Sequence, residues 1–356
     1  MTDPRVAPAQ TPVPPAPGDP APRASTRPSA GTRLWRALGP RRLSAVYLGI
    51  FFMVLFTLLN PGTFLTSTTT NVVFNSGSVT CLLALAFLVP LATESYDLSI
   101  GSMMTFGLTI VIYLFNSSGL PLWLISVIAV VACALVGAVN GFIIVRLNVD
   151  SFIATLGVSQ VLLAASLLIS GNKQLVGNFP ELWTKLGNEN ISGIPYPLLY
   201  VLAVAVVLWY VLEHMSLGRY LFAIGGNEEA ARLSGVPTKR LIWGSMVASG
   251  AIAGFAGVIY AMRTGTSTPT VGSGLLFPAV AAVFLGASQL SQRPNVWGTL
   301  IAYFALAFGI QGLTLSLGTD AAWASPLFQG LSLIVAVSIA SRPVIAKLRS
   351  RAEEPE

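Results

Sequence analysis

Histidine and cysteine, the residues most often used in nucleophilic catalysis and transition-metal sites, are scarce in this sequence. It contains one histidine, His214, and two cysteines, Cys81 and Cys133, and each cysteine lies inside an apolar run. A single imidazole cannot form a multi-histidine metal site, and isolated cysteines in apolar runs are typical of small buried side chains. We therefore predict a chain that is not an enzyme and that has no catalytic residue, no metal site and no cofactor.

Two carboxylates lie close together in residues 94–102, Glu-Ser-Tyr-Asp-Leu-Ser-Ile-Gly-Ser, between two apolar runs. Acidic groups at membrane depth are costly and usually face a cavity or a permeation pathway. One interpretation is a break between helices, in which Glu94, Asp97 and Ser99 line such a pathway. The other interpretation is structural: Asp97 caps a helix that begins at Leu98, and Glu94 lies at the membrane interface.

Further polar residues surround a tight turn within residues 145–157, between two long apolar runs. In one interpretation, Asn140 just before this segment and Thr155 within it face the same pathway. In the other, the segment has ordinary turn chemistry, and Asp150 or Ser151 caps the next helix. The sequence leaves both interpretations open.

Residues 225–240 predict a short helix that has a signal at each end. Asn227 is a good N-cap, and the two glutamates that follow it suit the positive end of a helix dipole. Gly235 ends the helix, and Pro237 prevents its continuation. A helix of about two turns is not stable alone. It is suited either to docking in the groove of a partner or to a solvated connection.

The chain that carries these stretches is too apolar for a soluble protein. Of its 356 residues, 54% are hydrophobic and 10% are charged, whereas roughly 25% are charged in an average soluble domain. An ordinary cytosolic enzyme and a nucleic-acid binder are thereby excluded, despite the net charge of +6. The predicted fold class is an all-α polytopic membrane protein, because lipid offers no partner to an open strand edge.

Ten apolar segments approach the roughly 17–25 residues that cross a bilayer as a helix. They are 43–60, 77–93, 99–116, 122–146, 151–170, 196–214, 240–262, 275–290, 295–316 and 325–341. The second and the eighth are short, and we expect them to be tilted, broken or partly re-entrant.

The basic residues predict the orientation in the membrane. If ten spans alternate, 17 of the 20 Lys and Arg residues fall on one side, and only Lys173, Lys185 and Arg263 fall on the other. Cytoplasmic segments carry an excess of basic residues. Both termini are therefore predicted to be cytoplasmic.

The two ends of the chain differ from its apolar part. Nine of the first 33 residues are proline, and most of the others are Ala, Thr, Ser or Arg. Such a segment cannot bury enough apolar surface to become ordered. The predicted organisation is a disordered Pro/Arg-rich cytoplasmic tail at 1–42, a transmembrane domain at 43–341 and a cytoplasmic C-terminal tail at 342–356.

Two pairs of glycines are spaced four residues apart within apolar segments: Gly137 with Gly141, and Gly250 with Gly254. Small residues at this spacing allow the backbones of two membrane helices to approach closely. The alternative is that glycine is simply frequent in membrane spans. The first interpretation predicts close helix packing at these positions.

Taken in order, these motifs resemble the ribose-type permease family, the membrane subunits of bacterial ABC importers for monosaccharides. The matching stretches are Asp-Leu-Ser-Ile-Gly (97–101), Asn-Gly (140–141), Ser-Phe-Ile-Ala-Thr-Leu-Gly (151–157), Gly-Arg (218–219) and Gly-Asn-Glu-Glu-Ala-Ala-Arg-Leu-Ser-Gly (226–235). The resemblance covers about residues 43–341. Each motif alone is weak, but the ordered set is specific.

The resemblance implies ten spans in an inverted-repeat fold, similar to that of vitamin B12-type permeases. It implies ATP-driven alternating access for a monosaccharide (a ribose- or xylose-like sugar) or a polyol across the bacterial cytoplasmic membrane. The implied partners are ABC ATPase subunits, which hydrolyse the ATP, an extracytoplasmic sugar-binding protein and a second permease subunit, identical or different; no nucleic acid is involved. The residues that would form the coupling helix on the ATPase are Asn227, Glu228, Glu229, Ala230, Ala231, Arg232, Leu233 and Gly235.

The chain departs from the family pattern at one motif, and other functions stay open. Glu94, Ser95 and Tyr96 stand where the family usually has Gly, Gly and Ile, which points to a divergent substrate. One alternative is a permease for branched-chain amino acids. Another is a secondary transporter driven by an ion gradient, with Glu94 or Asp97 as the coupling carboxylate.

Overall fold

A computed structural model describes residues 44–287, 293–318, 323–335 and 337–338. The predicted tails at 1–42 and 342–356 lie outside the described residues, as does the end of the last predicted span. The described part is built almost entirely of apolar helices, so the predicted all-α polytopic class is confirmed.

We number the helices and the short strands in chain order. The helices are α1 Ser44–Leu59, α2 Ser67–Leu91, α3 Ile100–Ser118, α4 Leu122–Leu147, α5 Ser151–Ser170, α6 Glu181–Asn188, α7 Tyr196–Trp209, α8 Ser216–Gly226, α9 Glu228–Leu233, α10 Thr238–Thr264, α11 Ser273–Ala287, α12 Val296–Leu317 and α13 Ala324–Val335. The strands are β1 Leu175–Val176, β2 Asn190–Ile191, β3 Ile194–Pro195 and β4 Thr266–Ser267. A π-helical turn, Tyr210–His214, continues α7.

Ten apolar helices correspond one to one to the ten predicted spans. Among the described residues, seven helices are long and apolar enough to cross a membrane: α2, α3, α4, α5, α7 with its π turn, α10 and α12. The helices α1, α11 and α13 are apolar but shorter. The eighth predicted span corresponds to α11, which is described over Ser273–Ala287; the last three residues of that prediction, 288–290, lie outside the described residues.

Helix α2 is longer than the sequence indicated. The expected span was 77–93 and short, but the helix has 25 residues and begins at Ser67. The side chain of Thr66 caps it by accepting a hydrogen bond from the backbone N–H of Thr69 at 3.3 Å. The first turns are rich in Thr, Asn and Ser, so a search for apolar residues alone places the helix start too late.

Other helix ends follow their local sequence. Asp150 caps α5, as one of the two predicted alternatives, because its Oδ1 accepts hydrogen bonds from Phe152 N at 2.9 Å and Ile153 N at 3.3 Å. The helices α3 and α5 end at Gly119 and Gly171, both in the left-handed conformation that glycine adopts without steric cost.

The core forms around the C-terminal half of α2, in which nearly every residue from 77 to 92 is buried. Helix α10 packs along α2, α3 and α4, and α11 packs against α2 and α12. On one side of the molecule, β1 pairs antiparallel with β4, with Leu175 opposite Ser267. This pairing ties the segment after α5 to the end of α10, and β2 and β3 form a separate hairpin.

Both glycine pairs lie in the contact between α4 and α10, so the predicted close packing is confirmed. A Cβ atom at Gly137 would lie 2.2 Å from the carbonyl oxygen of Met246, and one at Gly250 would lie 2.3 Å from that of Cys133. A Cβ atom at Gly254 would lie 2.7 Å from the side chain of Cys133, and one at Gly141 would lie 2.8 Å from that of Trp243. Any larger side chain would force the two backbones apart.

We predict that Gly137→Ala destabilises the protein by about 1–3 kcal/mol, because the added methyl group overpacks a rigid backbone contact. Gly244→Ala is the matched control, since a Cβ there meets nothing within 4 Å and alanine is the better helix former. The measurement is the melting temperature of each purified variant in detergent. An equal melting temperature for the two variants would contradict the packing account.

Candidate functional site

The connection between α2 and α3, residues 92–99, folds back into the protein instead of leaving it. The turn begins with hydrogen bonds from Thr93 N and Ser95 N to the carbonyl of Pro90, at 2.9 and 3.1 Å. Glu94 adopts a left-handed conformation with φ of 56°. Its side chain is exposed, whereas Ser95, Asp97 and Ser99 are buried.

Asp97 is a carboxylate with 0% exposure. Its Oδ1 accepts hydrogen bonds from the backbone N–H of Ser99 at 3.1 Å and from the hydroxyl of Ser99 at 2.5 Å. Its Oδ2 accepts a hydrogen bond from the hydroxyl of Ser249 in α10 at 2.7 Å. None of the ion pairs of the described residues includes Asp97, so among those residues its oxygens have hydroxyl and amide donors alone.

Asn140 of α4 joins the same cluster. Its amide donates a hydrogen bond to the hydroxyl of Ser99 at 2.9 Å, and the side chain is fully buried. The amide oxygen of Asn140 has no hydrogen-bond partner among the described residues. A buried acceptor without a partner is uncommon in folded proteins.

Helix α5 holds the backbone of the same segment. The hydroxyl of Ser151 accepts a hydrogen bond from Tyr96 N at 3.0 Å, and that of Thr155 accepts one from Leu98 N at 3.1 Å. Thr155 is fully buried. Three helices therefore fix residues 96–99: α10 through Ser249, α4 through Asn140, and α5 through Ser151 and Thr155.

The glycine of the same motif allows a further close contact. A Cβ atom at Gly101 would lie 2.5 Å from the carbonyl oxygen of Gly272, just before α11. The backbone N–H of Gly272 donates a hydrogen bond to the hydroxyl of Thr105 at 2.9 Å. The start of α3 is thus held against the entry to α11 as well.

The predicted short helix is present as α9. The side chain of Asn227 accepts a hydrogen bond from Ala230 N at 2.9 Å and caps the helix. Gly235 follows it with φ of 84°, a conformation that favours glycine. The ion pair between Glu229 and Arg232, at 3.0 Å, is exposed and contributes little stability.

One face of α9 packs on the protein, and the other is free. Ala231 is buried against Ile224 of α8 and Ile242 of α10. Leu233, in contrast, is 80% exposed. Further along α8, a Cβ atom at Gly225 would lie 2.6 Å from the carbonyl oxygen of Ala92, at the start of the 92–99 segment.

Residues 69–337 match a family described as branched-chain amino acid transport system / permease component. The chain belongs to this family. It is 28% identical over 292 residues to the ribose import permease protein of Haemophilus influenzae, covering 81% of this chain and 89% of that relative. It is 31% identical over 275 residues to the ribose import permease protein of Escherichia coli K12, covering 75% and 84%.

A third relative of the permease is the fructose import permease protein of Rhizobium meliloti, 29% identical over 303 residues, which cover 82% of each chain. No solved structure gives a significant match. The resemblance to ribose-type ABC import permeases is therefore confirmed, and the permease is a multi-pass membrane protein.

The candidate pathway residues of the permease divide into two groups. Asp97, Ser99, Asn140 and Thr155 come together in one buried network, which we call the Asp97 cluster together with Ser151 and Ser249. Glu94 lies apart with an exposed side chain. The alternative in which Asp97 caps a helix from Leu98 is wrong in detail, because α3 begins at Ile100 and Asp97 bonds to Ser99 two residues ahead.

Sequence reasoning missed two features of the permease. Ser249 lies 152 residues from Asp97 and stands in an unremarkable run of small residues. Near the C-terminal end of α10, Arg263 donates hydrogen bonds to the side chains of Asn75 and Ser76 in α2. The only signal for the second feature was that Arg263 is one of the three basic residues predicted on the side with few of them.

We predict that Asp97→Ala destabilises the permease strongly, by about 1–3 kcal/mol for each buried donor that loses its acceptor. Glu94→Ala is the matched control, since it removes an exposed carboxylate three residues away. Melting temperatures in detergent would compare the two variants. A fall as small for Asp97→Ala as for Glu94→Ala would contradict the role assigned to the cluster.

Proposed function

We propose that this chain is the membrane subunit of an ABC importer that carries a monosaccharide or a related polyol into the cell. The observation that supports this most directly is α9: a short capped helix with a buried Ala231, a free Leu233 and a close connection to the Asp97 cluster. A helix of six residues does not persist by itself. Its exposed apolar tip is suited to a groove on a partner.

The assembly proposed for this chain contains two ATPase subunits, an extracytoplasmic sugar-binding protein and a second permease subunit. Asn227 to Gly235 would contact the ATPase, and both termini would lie in the cytoplasm, where the 17 basic residues fall. The permease itself does no covalent chemistry. Its part is to change the side of the membrane on which a central cavity is open.

Two contacts connect α9 to the Asp97 cluster. The first runs through α10, which follows α9 and carries Ser249. The second runs through α8, where Gly225 meets the backbone of Ala92. A displacement of α9 by the ATPase would move α8 and α10 together. Residues 92–99, which contact both helices, would then have to move with them or lose their hydrogen bonds.

The path for the substrate is proposed to pass beside this segment, along Glu94, Asp97, Ser99, Asn140 and Thr155. In the conformation described here, the last four are bonded to one another or to the segment itself. Opening of the central cavity toward the side of the membrane where α9 lies would break some of these hydrogen bonds. Hydroxyl and amide groups so released are of the kind that binds sugar hydroxyls.

A sugar is favoured over a branched-chain amino acid by the relatives that the chain matches. The import permeases described above are named for ribose and fructose. An ion-driven mechanism is less favoured, because the oxygens of Asp97 already accept three hydrogen bonds.

We expect a strain that lacks this permease to lose uptake of at least one radiolabelled monosaccharide while its uptake of leucine, isoleucine and valine is unchanged. Complementation with the intact gene should restore uptake. Loss of amino acid uptake with every tested sugar unaffected would contradict the substrate class. Uptake that survives ATP depletion and collapses with an ionophore would contradict the ABC mechanism.

We predict that Leu233→Asp reduces the amount of ATPase that co-purifies with the tagged permease by at least tenfold. A charge placed in an apolar contact leaves it unpaired on burial. Leu182→Asp in α6 is the matched control, since Leu182 is 72% exposed and lies outside α9. Equal recovery of the ATPase with both variants would contradict docking through α9.

A further inference from the structure

A pocket opens where α4 ends and α10 begins, next to α9 but separate from the Asp97 cluster. Its volume is about 420 Å³. The lining residues are Phe142, Val145, Arg146, Lys239, Arg240 and Trp243. Three basic side chains and two aromatic side chains thus face one space.

The three basic residues of this pocket are exposed and lack acidic partners. Arg146, Lys239 and Arg240 take part in none of the ion pairs formed by the part of the chain that the structure describes. Of the carboxylates close to these residues in the sequence, Asp150 caps α5 and Glu229 pairs with Arg232, and Glu228 is exposed. Three positive charges around one pocket, none of them in an ion pair of the described residues, favour an anionic ligand.

The position of the pocket along α4 puts it at the membrane surface. Helix α4 has 26 residues, a length of about 39 Å at 1.5 Å per residue, whereas the hydrocarbon core is about 30 Å thick. Arg146 is the penultimate residue of the helix. Because a helix of this length extends beyond the hydrocarbon core, it favours a position of its basic end among the lipid headgroups.

An apolar stripe along α4 leads to the pocket. It consists of exposed residues three or four positions apart: Trp123, Val127, Val131, Leu135, Val139 and Phe142. Arg146 follows Phe142 by one helical turn on the same face. An exposed apolar stripe that ends in a basic residue matches a phospholipid, with acyl chains beside the helix and a charged headgroup at its end.

We call Trp243 and Phe142 the aromatic floor of the pocket, and Trp243 is held in place by two contacts. The indole N–H of Trp243 donates a hydrogen bond to the carbonyl of Ala138 at 3.0 Å. The same indole packs on Gly141, where a Cβ atom would lie 2.8 Å from it. Trp243 and Phe142 remain exposed despite these contacts, so the pocket joins a rigid apolar surface to the three cations.

We propose that this pocket binds the phosphate headgroup of an anionic phospholipid, with Arg146, Lys239 and Arg240 around the phosphate and the acyl chains along Phe142 and the α4 stripe. A free inorganic phosphate would make no use of the aromatic floor or the stripe. An acidic surface of the ATPase is the other class of occupant, and the continuity of the pocket with the apolar stripe favours lipid over it.

The test is native mass spectrometry of the purified full-length permease after exchange into detergent with phosphatidylglycerol or phosphatidylcholine. We expect retention of phosphatidylglycerol in preference to phosphatidylcholine, and no displacement by millimolar inorganic phosphate. The triple variant Arg146→Gln, Lys239→Gln, Arg240→Gln should retain at least tenfold less. Each basic residue near an anionic lipid surface contributes about fivefold in affinity.

Arg219→Gln is the matched control, since it removes an exposed cation of α8 outside the pocket; it should retain phosphatidylglycerol as the wild type does. Unchanged retention in the triple variant, equal retention of both lipids, or displacement by inorganic phosphate would overturn the proposal. A triple variant that keeps the lipid but no longer co-purifies with the ATPase would overturn it in favour of the protein partner.

A second measurement needs no variant and covers the case in which the triple variant does not fold. The wild-type permease is exposed to phosphatidylglycerol that carries a photoactivatable group, and the cross-linked peptides are mapped. Labels at residues 138–147 and 236–244 would support the proposal. Labels confined to other parts of the chain would overturn it.

Discussion

The fold depends on one constraint: Asp97, which forms no ion pair within the described part of the chain, is buried among membrane helices. Burying a carboxyl group is costly unless its oxygens have hydrogen-bond partners. The donors available are the N–H and hydroxyl of Ser99 and the hydroxyl of Ser249. Because Ser249 belongs to α10, the requirement of Asp97 fixes the loop between α2 and α3 to a helix far away in the sequence.

Close helix contacts make this arrangement possible. Gly137 and Gly250 bring the backbones of α4 and α10 together, so that Asn140 and Ser249 can both reach residues 97–99. Gly101 gives the same freedom toward α11. In lipid, helices associate mainly through packing and hydrogen bonds, and this site combines the two. The proposed coupling helix adjoins this packed region at Gly225 and through α10.

Those parts of the fold and of the site that depend on neighbouring residues could be predicted from the sequence. Asn227 and Gly235 act on their own helix ends, and the sequence placed them correctly; for the cap of α5 it offered Asp150 or Ser151, and Asp150 is the cap. The start of α2 was placed ten residues too late, because the signal used was apolar character and its first turns are polar. The cluster itself could be foreseen only as a set of polar residues. Its decisive contact joins Asp97 to Ser249, and no periodicity or cap connects residues so far apart. The pocket between Arg146 and Trp243 was missed for the same reason.

The most direct test of the account is the ratio of sugar transported to ATP hydrolysed, measured in liposomes that contain the assembled importer with its binding protein. The variant to compare with the wild type is Ser249→Ala, which removes one hydroxyl and leaves α9 intact. We expect this variant still to bind the ATPase and to hydrolyse ATP, but to transport several-fold less sugar per ATP, because α10 no longer holds Asp97. An unchanged ratio would contradict the claim that the Asp97 cluster connects the docking helix to the transport path.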